Sequence, residues 1–167
     1  MMKRATCLLI VLATLFPVFH LFFPATAPVG AERLAEDDDQ ALLETVGTLS
    51  AGHLYQTYLN IGFLANGVSE EVYEPEQAQR LLDSVLSLTE TLDRQLARVD
   101  ALRIAPADRR VIADLRKVSQ SLRTQGKHLQ DFWDADDADD ADRSRQAYEK
   151  SRQESWKGIA AKLQFKP

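Results

Sequence analysis

Apolar and polar positions alternate most regularly between residues 75 and 102. There Ala78, Leu81, Val85, Leu88, Leu92, Leu96, Val99 and Leu102 recur at spacings of three and four, with Glu76, Arg80, Asp83, Glu90, Arg94 and Arg98 between them. An apolar stripe of that period with a charged back predicts an amphipathic helix from about Pro75 to Leu102. The period returns in Val111, Leu115, Val118, Leu122, Leu129 and Phe132, interrupted by Gln125 and Gly126, and predicts a helix from Pro106 to about Trp133. Pro75 and Pro106 suit first helical turns, where a missing N–H costs no hydrogen bond. A weaker stripe, Tyr148, Trp156, Ile159, Ala160 and Leu163, is diluted by Ser144, Ser151, Ser155 and Gly158 and predicts a last helix from about Asp142 to Leu163.

The stretch from Thr45 to Ser69 is different in kind: it contains no Asp, Glu, Lys or Arg. It predicts a helix from about Gln40 to Ala65, opened by Asp37-Asp38-Asp39 at the positive end of the helix dipole and closed by Asn66-Gly67 as a C-cap. Without charge on any side, this helix asks to be covered on more than one face. One stripe, Leu42, Val46, Leu49, His53, Thr57, Asn60 and Leu64, is expected to face the core. The opposite stripe, Thr48, Ala51, Tyr55, Leu59, Gly62 and Asn66 with Gly52 beside it, is small, aromatic or amide.

No segment alternates apolar and polar residues over a strand length. Four helices joined by short links predict an all-α fold, an up-down-up-down antiparallel four-helix bundle with coiled-coil-like seams, about 35–40 Å long. Asp134–Asp142 reads D-A-D-D-A-D-D-A-D, a solvated turn or the frayed start of the last helix. As a calcium loop it lacks the glycine at the sixth position and the glutamate at the twelfth.

The N-terminal region is not part of this pattern. Met1-Met2-Lys3-Arg4 is a short basic start, Ala5 to Phe23 is apolar, and Val29-Gly30-Ala31 supplies a small-residue cleavage site. Residues 1–31 are therefore expected to be a signal peptide and residues 32–167 the bundle domain; the alternative is a membrane anchor at residues 5–23. Either reading sends the protein out of the cytoplasm, periplasmic or secreted, or anchored at the membrane. Cleavage would remove the single cysteine, Cys7, and both methionines. What remains has no disulfide, no thiolate metal site and no C-x-x-C-H haem attachment, and must be held by its core. Loss of Lys3 and Arg4 leaves 18 basic against 25 acidic residues, a net charge of −7, with no basic stripe, which argues against nucleic acid as a partner.

Candidate chemistry is sparse. His53 and His128 are expected at different levels of the bundle, so no bis-histidine haem is expected, and no Glu-x-x-His pair suggests a di-iron site. Neither a nucleophile elbow nor a phosphate loop appears. The expectation is a protein without cofactor or metal that is not an enzyme. Two features remain. The patch His53, Gln56, Thr57 and Asn60 on the inner face of the first helix is either a buried network that fixes register or a pocket for a small polar ligand. Ala51, Gly52, Tyr55, Leu59 and Gly62 form a candidate interface for a protein partner or a homodimer, because interface cores are poor in charge and rich in aromatic residues. The leading expectation is an exported bundle that binds a partner protein or itself through the first helix. The alternative is a periplasmic small-molecule binding or sensing bundle that uses the polar patch.

Overall fold

The computed structural model describes residues 29–163, with side chains from residue 39 onward. The basic start and apolar run of the expected leader lie outside the described residues. The chain divides into two units, Met1–Ala41 and Leu42–Pro167. The first is described only as the opening of a helix. The second is the bundle, and the following concerns it.

Four helices make up the described residues: α1 (Val29–Ser69), α2 (Pro75–Asp100), α3 (Pro106–Trp133) and α4 (Ala138–Lys162), with no strand among them. Short turns connect them, so successive helices run antiparallel. Named contacts close the ring. The Thr57 and Thr89 hydroxyls lie 3.4 Å apart between α1 and α2. Ser119 of α3 donates to the Thr89 carbonyl at 3.3 Å, and Ser121 and Ser155 join α3 to α4 at 2.9 Å. The rings of Tyr58 and Trp156 complete the circuit between α1 and α4, with centroids 5.6 Å apart and tilted 34°. The apolar core contains Leu54, Ile61 and Leu64 of α1, Leu82 and Leu96 of α2, Ile112, Leu115, Val118, Leu122 and Leu129 of α3, and Tyr148 and Ile159 of α4.

The four-helix bundle is as expected, but the facing of its helices is not. On α2 the buried positions are Ala78, Leu82, Thr89 and Leu96, while Leu81 and Leu88, and Leu102 in the turn beyond its end, are exposed. The rotation that buries Leu82 and Thr89 lays the acidic flank of α2 along α3. Asp83 then accepts from Gln130 at 2.6 Å, Glu90 meets Arg123 at 3.9 Å, and Asp93 meets Arg116 at 3.2 Å. Leu86 also closes onto Gly126, where an added Cβ would sit 2.5 Å from a Leu86 methyl. Gly126 is thus a close-approach point rather than an interruption. On α3 Ile112 is buried in place of Val111, and Gln125 belongs to the buried seam. On α4 the serines read as dilution, Ser151 and Ser155, are buried beside Tyr148 and Ile159. Small residues let α4 approach α3, and each hydroxyl has a partner: Ser151 donates to the Tyr148 carbonyl at 2.8 Å, and Ser155 pairs with Ser121.

Helix ends differ for local reasons. α1 does not stop at Asn66-Gly67; it continues to Ser69. Gly67 keeps a helical conformation, and its missing side chain makes room for the ring of Tyr73. The left-handed residue of the turn is Glu71, at φ 57°. The Gly67 carbonyl accepts from the Val72 and Tyr73 amides at 2.8 and 3.1 Å. α4 starts at Ala138, four residues before the expected Asp142, because Asp137 caps it by accepting from the Asp140 amide at 2.8 Å. Asp139 and Asp140 then lie in the first turn, where the helix dipole favours negative charge.

Candidate functional site

The buried face of α1 is Ser50, Leu54, Thr57, Ile61 and Leu64, a stripe rotated by about 60° from the expected one. This corrects the placement of the polar patch. Thr57 alone of the four candidate ligand residues is buried. Gln56 is exposed and donates from Nε2 to Asn60 Oδ1 at 3.0 Å, while Asn60 and His53 are half-buried. The His53 Nε2 atom is covered and makes no hydrogen bond among the described residues. The four side chains therefore do not converge on one internal point. Leu42 and Leu49, also expected inside, are 62% and 69% exposed.

The polar interior is spread over all four helices instead. Thr57, Thr89, Ser119, Gln125, Ser151 and Ser155 are all buried. The hydroxyl groups among them are hydrogen-bonded to backbone or to one another. Gln125 is the exception: it is fully buried, and neither Nε2 nor Oε1 has a hydrogen-bond partner among the described residues. The Tyr148 hydroxyl, close enough to the Gln125 amide to feel it, also lacks a bond of good geometry. Burial pushes the Tyr148 phenol above its ordinary pKa, so it stays neutral. These groups offer hydrogen bonding but no base or nucleophile in reach of solvent. Among the described residues, no group of three or more His, Cys, Asp or Glu is placed to hold a metal ion.

Charge is concentrated elsewhere. A surface groove between α2 and α3 is lined by Asp83, Glu90, Arg123 and Lys127, but these charges already have partners: Glu90 meets both Arg123 and Arg94, at 3.9 and 3.1 Å, and Lys127 meets Asp131 at 3.3 Å. At the far end of α4, Lys162 bonds to Asp114 and holds its carboxyl below the usual range. α4 carries further pairs one turn apart, Asp142 with Arg145 at 3.1 Å and Glu149 with Arg152 at 3.8 Å.

The outer face of α1 carries no charged residue from Thr45 to Asn66. Its outward stripe runs Leu42, Thr45, Leu49, Gly52, Gln56, Leu59, Phe63 and Asn66, alternating steps of three and four, with all but half-buried Leu59 exposed. Phe63 is 61% exposed. The candidate interface residues divide around it. Gly52 is exposed, Leu59 and Gly62 are half-buried, and Ala51 and Tyr55 pack partly against the core. Exposed Leu81 and Leu88 continue the patch on α2. They lie on the flank of α2 away from the residues that meet α3, and Thr57 and Thr89 set that flank beside α1. Sequence reading missed Leu49, Phe63, Leu81 and Leu88. The signal was present as a second three-four stripe on α1, offset from the one that reads as core. Comparison with known proteins finds no matching family model, no matching curated protein and no matching solved structure, so the residues themselves carry the functional reading.

Proposed function

We propose that this protein is an exported, non-catalytic helical bundle that works by association, with the uncharged outer face of α1 as its docking surface for another protein chain. One observation carries the reading: Leu42, Leu49 and Phe63 are more than half exposed along a helix that has no charged residue from Thr45 to Ser69. Scattered exposed apolar residues are ordinary, but several of them on one uncharged helix face mark an interaction site. Association is tested by replacing Leu49 and Phe63 together with Glu and sizing the protein in extracts of the cells that make it. Wild type is expected in an assembly larger than one chain and the double variant as a single folded chain. Buried between chains, the two carboxylates would lose hydration without a counter-charge. An unchanged assembly size would refute the reading. The export half of the proposal rests on the basic start, the apolar run and the small residues Val29-Gly30-Ala31. N-terminal sequencing of the exported protein is expected to begin at Glu32, and a retained Met1 would mean an anchor at residues 5–23 instead.

A further inference from the structure

Resting on the association reading, we infer that the chain docked on α1 is a second copy of this protein, packed antiparallel about a two-fold axis at Gln56. Charge selects the class of partner. The α1 stripe offers no ion, so a charged surface laid on it would lose its water and gain no ion pair. The partner must present an equally uncharged helical face. Charges on α3 and α4 pair one turn apart, as Lys117 with Asp114 and Arg145 with Asp142, whereas the α1 stripe from Thr45 to Asn66 contains no charged residue.

The order of residues on the stripe then selects the arrangement. Leu49 and Phe63 stand at equal distances on either side of Gln56, and Gly52 and Leu59 do so to within one residue. An antiparallel two-fold pairing therefore sets each Leu49 against the partner's Phe63 and each Gly52 against the partner's Leu59. In the second pair a large side chain meets the space left by glycine, as close packing favours. A Cβ built at Gly52 meets nothing within 4 Å, so the surface there is open to an approaching helix. Gln56 meets its own copy. Its bond to Asn60 uses one amide hydrogen, which leaves the second hydrogen and the carbonyl oxygen for the partner's Gln56. Between Leu49 and Phe63 the stripe has one polar residue, Gln56, and a single polar pair in an apolar seam fixes register. Area fits as well. The stripe from Thr45 to Asn66, symmetric about Gln56 to within one residue, is about 32 Å long. With the Leu81 and Leu88 edge of α2 it is about 20 Å wide, roughly 640 Å² against the ~800 Å² per partner of a standard stable interface.

Disulfide trapping tests the pairing directly, in the full chain with Cys7→Ser. Chains carrying Leu49→Cys and chains carrying Phe63→Cys are expected to form a disulfide-linked dimer when mixed, and neither to do so alone, because only the cross pair comes within disulfide reach. Gln56→Cys alone is expected to link to itself. In sedimentation, wild type should show twice the chain mass, and Gln56→Glu should dissociate at least about tenfold more readily, since like charges would face each other in the seam. A dimer from Leu49→Cys alone would overturn the antiparallel arrangement. A purified wild type that stays monomeric, while Leu49→Glu with Phe63→Glu still shrinks the assembly in extracts, would overturn the second copy and leave association with a different chain standing. A monomer in both settings would end both.

Discussion

Leu122→Ala is expected to lower the unfolding free energy by about 2–5 kcal/mol, and Leu88→Ala by under about 0.5 kcal/mol. By pattern the two leucines are equivalent, since each sits in the middle of a three-four stripe. In the fold Leu122 is fully buried and Leu88 is 60% exposed. Truncating Leu122 removes buried methyl groups and leaves a cavity that the neighbouring helices fill only in part. Truncating Leu88 removes methyl groups that already meet water in the single chain. The loss at Leu122 is a large fraction of the roughly 5–15 kcal/mol that holds a domain of this size. Denaturant titration at low protein concentration measures both, because dilution keeps any contact through the α2 edge out of the result. Equal losses would mean that α2 faces the core with Leu88 and that the exposed patch is smaller by one of its members.

Gln125→Met is expected to stabilise the protein by about 1–2 kcal/mol. A buried amide without partners costs about 1–3 kcal/mol, and methionine is an unbranched side chain of similar length that fills the same space with little strain. Gln125 is fully buried in the middle of α3, and both ends of its amide lack hydrogen bonds among the described residues. Tyr148 stays behind with its own unpaired hydroxyl, so the gain is partial. The measurement is the denaturant midpoint with the slope checked for constancy, so that a change in stability is separated from a change in compactness. A loss of about 1 kcal/mol or more would show that internal water satisfies the amide, which would make the Gln125–Tyr148 region a hydrated polar site.

The hydrophobic pattern alone determined the number of helices, their order and their antiparallel connection. Breaks at Pro75 and Pro106 and a run of aspartates at 134–142 are local chemistry, and local chemistry sets where helices begin. Even there, the end of α1 followed from a tertiary contact: Gly67 is helical because the ring of Tyr73 takes the space of its missing side chain. Tertiary structure decided which way each helix faces. On α1 two apolar stripes stand side by side with no charge to mark a solvent face, and sequence favoured the one containing Leu42 and Leu49. Packing buried Leu54, Thr57 and Ile61 instead, with Thr57 meeting Thr89 on α2 while Tyr58 reaches Trp156 on α4. On α2 the charged flank turned to α3 and left Leu81 and Leu88 outside. On α4 the serines went inside because close helix approach needs small residues and gives each hydroxyl a partner. The candidate surface was therefore legible as an uncharged helix, but its centre at Leu49, Gln56 and Phe63 was not. Periodicity sets the angles between residues on one helix, and only neighbouring helices fix where those angles point.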